Sequence, residues 1–462
     1  MRYLLILGLT LATGLLYLGC NTTSQASPPV ELAEPVEVAL DELILQQRLS
    51  LLLHDASLRE LVQIDSSGIR LYASAADRQA GRAEVHIFPE EYQLTARLYD
   101  MMRPDSMVRY YQLKGTQPWG PEWQALARHA WPVLPGPVSS DPAQPLRGWR
   151  VALDPGHTAG DLETARTEGK YVMMRPSQQT NFERIAFWEG NLTLATADLI
   201  RQQLDSLGAT TMLTRYSPGR DVNGLTYQDW KRQHWPQAVY DSATSWDLSQ
   251  RQLNYWLTRA DDKAIMRSFY TAEDLRNRAN RINAFRPHLT LIIHYNVHGP
   301  NWENRDRAGF IPPADTNYLM AFIPGSFLAN ELQSVEDRAI LLRQLLTMDV
   351  TYSQELAEAF VAASQRLTGV PVVPPNHRLG YLHNSSRYTG SPGVYARNLS
   401  LTRLVKGPLV YGESLNQDFL DEALRLNQRD LTVNGILVSS RVQDVADAYV
   451  AAVLAFARDE RF

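Results

Sequence analysis

The sequence predicts an α/β fold, with a mostly parallel sheet flanked by helices, preceded by a small α+β domain. Three observations lead there. From Leu146 onward, short apolar runs alternate with longer segments of helical spacing, the pattern of parallel strands joined by helical crossovers. Before that, between about Val38 and Trp131, strand-like and helix-like runs occur without regular alternation. Polar, Pro-rich stretches set these parts off from one another and from the N-terminus. With 462 residues, 44% of them hydrophobic and 21% charged, the chain has ordinary globular composition and room for two or three domains. Its net charge of −5 and the lack of a basic stripe exclude nucleic acid as an expected partner.

The first element is "MRYLLILGLTLATGLLYLGC". Arg2 gives a short positive region, and Leu4 to Leu18 form an apolar segment of signal-peptide length, short for a membrane span. It ends at Cys20, the only cysteine, so no internal disulfide can form. Residues 1–20 are thus assigned to a signal and 21–37, "NTTSQASPPVELAEP" and its flank, to a tether. In 38–131, "DELILQQRLSLLLH" has helical spacing and "LVQIDSSGIRLYAS" is a strand, turn and strand. "EVHIF" and "MVRYYQL" are strand candidates; "EYQLTARLYDMM" and "EWQALARHAW" are helical. This region holds no cluster of acid, base or nucleophile, and its role is not legible. A second linker, 132–145, contains "PVLPGPVSSDPAQP".

In the body, 146–462, "WRVALDPGH" is a strand and "NLTLATADLIRQQLDSLG" an amphipathic helix closed by Gly208. "ATTMLTR" is a strand, "AEDLRNRANRINAF" a helix, and "LTLIIHYN" a strand. "DVTYSQELAEAFVAASQRLTG" is a helix closed by Gly369, "GPLVYGES" a strand, and "QDVADAYVAAVLAFARD" the last helix. Two insertions interrupt the alternation, at about 216–270 and 298–346. The first holds Trp230, Trp235, Trp246 and Trp256. Such segments either pack their own aromatics on the surface or wall a groove for an extended substrate.

Three apolar strands end on ionisable residues: His157, His294 and Glu413. In open α/β sheets, sites form beyond the carboxyl ends of the strands, so distant segments bring two imidazoles and a carboxylate to one edge. Glu189 stands just before a helix. A carboxylate is favoured electrostatically at a helix N-terminus, which is explanation enough by itself. Yet two histidines and a carboxylate with an open position make a catalytic zinc set. A second carboxylate, off the metal, then moves the proton from water to the leaving group. Glu163, Glu168 and Glu183 are alternative ligands in the same stretch. Glu189 is preferred because it alone leads directly into "NLTLATA".

At these residues the chain resembles the zinc-dependent N-acetylmuramoyl-L-alanine amidases, which cut peptide stems from the glycan of peptidoglycan. The resemblance spans about Leu146 to Ala457, the two insertions excepted. It is carried by "LRGWRVALDPGH", "EGNLTLATADLIRQQLDSLGATTMLTR", "RANRINAFRPHLTLIIHYN" and "GVYARNLSLTRLVKGPLVYGE", in that order. It implies zinc held by His157, Glu189 and His294, with Glu413 as the catalytic carboxylate and peptidoglycan as substrate. The matching pattern also includes Arg278, Asn283, Asn296, Arg403 and Pro408. Three places depart from it: "TAGD" stands where the family commonly has Gly-Gly after the first histidine, Ile292 replaces a small residue, and "SLNQD" follows Glu413.

The N-terminus resembles a bacterial lipoprotein signal, in which Cys20 would become the lipid-bearing first residue. Tyr17 and Leu18 occupy places where that pattern has Leu and a small residue. The alternative is an uncleaved anchor; either way the body is exported to the cell envelope. The expected partners are therefore peptidoglycan, a membrane through the lipid at Cys20, and an activator protein able to move the Trp-rich segment. Rival readings keep zinc but act on another envelope amide, or keep only the fold as a wall-binding lipoprotein. His298, His377 and His383 are expected as loop residues. Arg403 either orients Glu413, grips a substrate carboxylate or is a structural partner at the sheet edge.

Overall fold

The computed structural model describes residues 40–121, 123, 139, 141–175, 184–245, 247–298 and 305–458. The signal and anchor assigned to 1–20, the tether, most of the second linker, Glu183 and Trp246 lie outside the described residues, as does most of the helix expected at "EWQALARHAW".

The alternation after Leu146 builds a seven-stranded sheet. Apart from a separate antiparallel pair, β5 (Tyr171–Met174) and β6 (Ile185–Trp188), the strands of the body that form this sheet are β4 (Arg150–Pro155), β7 (Thr210–Leu213), β8 (Leu289–Asn296), β9 (Met320–Ile323), β10 (Ser386–Tyr388), β11 (Val394–Arg397) and β12 (Leu409–Asn416). The order is β10-β11-β9-β12-β8-β4-β7. β7, β4, β8 and β12 run parallel; β9 pairs antiparallel with β12 and parallel with β11, and β10 closes that edge antiparallel. The fold class is thus α/β with a mostly parallel sheet. Residues alternate between the two faces, as a strand period of two demands. Val151, Leu153, Leu289, Leu291 and Ile293 join the main core, whereas Ala152, Ile292 and Leu409 pack with Ala279 and Ile282 on the other side. Helices Glu189–Ser206 (α5), Asp349–Thr368 (α10) and Arg441–Ala457 (α11) cover the first face; Thr271–Phe285 (α8) lies on the second. Both faces are therefore dry, which is why these strands are apolar throughout rather than alternating with polar residues.

β9 lies inside the segment 298–346, and neither it nor β10 or β11 was announced by the pattern. β9 is four fully buried residues between β11, equally short, and the longer β12. In the segment 216–270, helices Tyr227–Ser245 (α6) and Gln250–Thr258 (α7) and a π-helical turn, Met266–Tyr270, pack around one another. Tyr227, Trp230, Phe269 and Tyr270 form their core, with Trp235 and Trp256 against it. Trp230 donates its indole N–H to Glu273 at 2.9 Å.

The N-terminal part has a three-stranded antiparallel sheet, β1 (Val62–Asp65), β2 (Gly68–Leu71) and β3 (Val85–Ile87), with helices α1 (Glu42–Leu52), α2 (Tyr92–Met101) and α3 (Pro104–Lys114). α3 corrects the strand expected at "MVRYYQL". Pro104 and Asp105 open a helical first turn, and the buried residues Met107, Tyr111 and Lys114 recur at helical spacing. α1, α2 and α3 all pack on Val335–Leu346 (α9). Arg338 of α9 pairs with Glu84 at 2.7 Å, and Arg48 donates to the Thr347 carbonyl at 2.8 Å. Lys406, just ahead of β12, donates its ammonium to the carbonyls of Tyr99 at 2.6 Å, Asp100 at 3.0 Å and Met102.

Candidate metal centre

The turn after β4 is fixed from several sides. The Gly156 N–H donates to the Ile293 carbonyl at 2.9 Å, tying the end of β4 to β8. A β-carbon at Gly156 would overlap the His294 imidazole, so only glycine lets that ring lie on the backbone. Two buried guanidiniums hold the carbonyls of the turn. Arg215 reaches Gly156 at 3.0 Å and Gly190 at 2.7 Å; Arg278 reaches Pro155 at 3.0 Å and His157 at 3.3 Å. Arg278 is itself held by Asp274 at 2.7 Å and Asp154 at 3.4 Å. His157 sits at φ +60°, in the left-handed region, which a non-glycine residue adopts at some cost and usually near functional sites.

Glu189 opens α5 and points inward, its side chain 3% exposed. A β-carbon at Gly190 would overlap the Ala159 carbonyl, so glycine there lets the helix start press against the turn. The Glu189 carboxylate stands between the two imidazoles. Oε1 is 3.1 Å from His294 Nδ1 and accepts the Tyr295 N–H at 3.1 Å; Oε2 is 3.3 Å from His157 Nε2 and accepts from Gln417 at 3.2 Å. The two rings lie edge to face, with centroids 4.8 Å apart, and His294 stacks on Tyr411 at 4.4 Å.

Charge and burial act against each other here. Burial would lower the His157 pKa, but the carboxylates of Glu189 and Glu168 outweigh it and hold it up. Burial would raise Glu189, yet the charge and hydrogen bond of His157 and the hydrogen bond to His294 bring it well below the usual carboxylate range. His294 is pushed down to about 4, chiefly by burial. Glu413 goes up to about 8, through burial and then the neighbouring Glu189 charge. Its Oε2 is buried and has no hydrogen-bond partner.

His157, Glu189 and His294 offer ligand atoms that all lie within 4.8 Å of one another. Donors bonded to one tetrahedral ion at ~2.0–2.2 Å sit roughly 3.4 Å apart, close to the 3.1 and 3.3 Å separations from Glu189. The donor set and its spacing fit a divalent metal ion. Among the alternatives, Glu163 is exposed on Leu162–Glu168 (α4). Glu168 lies on the other side of His157, at 3.2 Å from Nδ1.

Other residues singled out from the sequence fall elsewhere. Arg403 pairs with Asp337 at 3.5 Å, the structural-partner option. Asn283 bridges the Leu404 carbonyl and the Lys406 N–H, both at 2.9 Å, and Asn296 bonds Asn416 at 2.8 Å. His298 is 3.4 Å from the Tyr318 hydroxyl, while His377 and His383 lie ring against ring at 4.8 Å. Sequence reasoning missed Gln417, which lies in the divergent "SLNQD" stretch and clamps Glu189 to the Tyr295 carbonyl. It also missed Lys170, whose positive charge lowers Glu189 and tempers the rise at Glu413.

No family model and no curated protein matches the chain. Solved structures do. The CwlD amidase of Clostridioides difficile, in complex with the GerS lipoprotein, is 14% identical over 67% of this chain and 98% of its own, at a TM-score of 0.34. The N-acetylmuramyl-L-alanine amidase Ami1 of Mycobacterium abscessus is 16% identical over 67% of this chain and 99% of its own, also at 0.34. The catalytic domain of CwlV, an N-acetylmuramoyl-L-alanine amidase of Bacillus (Paenibacillus) polymyxa, is 13% identical over 65% and 95%, at 0.31. Likenesses of this size do not carry an activity across to this chain.

Proposed function

We propose that the chain is a zinc-dependent N-acetylmuramoyl-L-alanine amidase, hydrolysing the amide between the lactyl group of the glycan and L-alanine of the stem peptide. The observation that carries this reading is the largely buried His157–Glu189–His294 set with Glu413, whose Oε2 is buried without a hydrogen-bond partner, in strand register beside His294. The four sequence segments that resemble the amidases supply His157, Glu189, His294 and Glu413 in order along the chain.

In this reading His157, Glu189 and His294 hold zinc. Bound there, zinc supplies Lewis acidity that makes water a better nucleophile and the amide carbonyl a better electrophile at neutral pH. Glu413, ionised once the charge of a bound cation offsets burial and the Glu189 charge, would accept a proton from the attacking water as the new C–O bond forms. It returns that proton to the nitrogen of L-alanine as the C–N bond breaks. Gln417 and the Tyr295 N–H orient the Glu189 carboxylate. Arg215 and Arg278 keep the turn that carries His157 rigid, so the reacting groups stay aligned.

The apolar run ending at Cys20 supports export and attachment to a membrane through a lipid on that cysteine, with the enzyme facing the cell wall. Residues 38–131 would then form a small α+β domain between anchor and enzyme. Among the described residues, no helix is long and apolar enough to cross a membrane. Digestion of purified peptidoglycan tests the activity. New L-alanine N-termini together with peptide-free glycan support it. Cleavage inside the stem peptide refutes it in favour of another envelope amide, and retention of wall material without cleavage refutes it in favour of a binding protein.

A further inference from the structure

We infer that Glu168 is a positioning residue for this centre: it grips His157 through Nδ1, so that Nε2 is the atom offered to a metal ion. The inference rests on the metal-binding part of the proposed function and deepens it.

Glu168 is the last residue of α4, and its side chain is 8% exposed. Its carboxylate meets three consecutive residues. Oε1 lies 3.2 Å from His157 Nδ1 and accepts the Thr158 N–H at 3.1 Å; Oε2 accepts the Ala159 N–H at 3.1 Å. The left-handed backbone at His157 is followed by two N–H groups that converge on one anion, the arrangement of a backbone nest. Here the anion is the protein's own carboxylate. Glu168 thereby holds both the unusual backbone of His157 and its ring.

The chemistry of the imidazole then selects the nitrogen. A neutral histidine has one N–H and one lone pair, and an ionised carboxylate only accepts. With a metal ion held on the Glu189 side, the ring keeps its one hydrogen on Nδ1, against Glu168, and offers the lone pair of Nε2. Nε2 is the nitrogen facing Glu189, at 3.3 Å. His294 differs, facing Glu189 through Nδ1 at 3.1 Å. Both Glu168 oxygens are already engaged on the far side of the ring from Glu189, so Glu168 is not itself a ligand. The short helix that delivers it is built for the purpose: Asp161 caps its start on the Thr164 N–H at 2.8 Å, and Gly169, in the left-handed region, ends it. The "TAGD" stretch supplies the two backbone donors, Thr158 and Ala159.

The test uses the full chain and zinc alone. Chelator competition should show that Glu168→Gln weakens zinc binding about 10- to 100-fold, the usual effect of removing a partner behind a ligand. Glu163→Gln, an exposed change on the same helix, should leave it unaltered. The absorption bands of the cobalt-substituted Glu168→Gln protein should shift as the ring loosens. In the zinc-loaded wild type, long-range 15N–1H correlations should show His157 protonated at Nδ1 and metal-bound at Nε2. Zinc affinity unchanged within twofold in Glu168→Gln, or a metal on His157 Nδ1, overturns the inference. The nitrogen measurement decides it alone if the variant does not fold. A wild type that binds zinc through His157 Nε2 yet leaves peptidoglycan intact sinks the amidase reading and leaves Glu168 its role. A wild type that binds no zinc sinks both.

Discussion

His294 and Glu413 are register partners on adjacent parallel strands, β8 and β12. Side chains paired in this way leave the same face of a sheet, so the backbone itself sets an imidazole next to a carboxylate at the strand ends. The two then diverge in character. His294 is drawn toward Glu189, whereas Glu413 keeps a buried oxygen with no protein partner.

That contrast separates two variants. Glu413→Gln should retain zinc and lose at least ~100-fold in cleavage, the scale of general acid–base catalysis. His157→Ala should lose the metal. Zinc content by atomic emission alongside a peptidoglycan digest checks both. Full activity in Glu413→Gln would remove the assigned role.

Gly156→Ala places a β-carbon where the His294 ring lies. Forcing a side chain into a packed site costs about 1–3 kcal/mol, and here the relief is displacement of a proposed ligand. The melting temperature should fall and zinc binding should weaken together. A variant that is destabilised yet binds zinc normally would show that the ring has room to move.

Stability should decline in mild acid through His288. Its Nδ1 accepts the Arg150 N–H at 2.8 Å, and burial pushes its pKa down to about 4 from an ordinary 6.5. The folded protein thus holds the neutral ring while the unfolded chain takes up a proton. The contribution is complete above pH ~6.5 and drains away as pH falls toward ~4, by about 2–3 kcal/mol. Urea midpoints between pH 7.5 and 4.5 should drop more steeply for the wild type than for His288→Gln.

Arg403→Ala should be mild. The Arg403–Asp337 pair is 3.5 Å long and partly exposed, and such pairs contribute at most ~1 kcal/mol. Cleavage should stay within a few-fold of wild type. A loss approaching that of Glu413→Gln would instead place Arg403 in the chemistry.

Much of the body was legible because both sheet faces are buried, which makes strands out of apolar runs and leaves their polar ends conspicuous. His157, His294 and Glu413 stood out for that reason. β9 did not, since four apolar residues carry no period of their own and gain their identity from neighbours supplied by distant segments. α3 was misread because Val108, Tyr110 and Tyr111 favour strands, while Pro104 and the buried face decided for a helix. Local spacing also could not tell Glu189 from Glu168. Both reach His157, one at each nitrogen, and only the turn between them shows which side faces the second histidine. Gln417 lies beyond any local signal, because its partner Glu189 is 228 residues away.

Lys406 has a practical consequence. Its ammonium is satisfied by carbonyls from the N-terminal part, yet it sits a few residues ahead of Glu413 on the same stretch of chain. Cutting the gene at the second Pro-rich stretch, the obvious way to isolate the body alone, would strip that cation of its acceptors just ahead of the strand that carries Glu413. A shortened version would therefore call for an apolar replacement at 406 before its yield or turnover could be compared with the intact molecule.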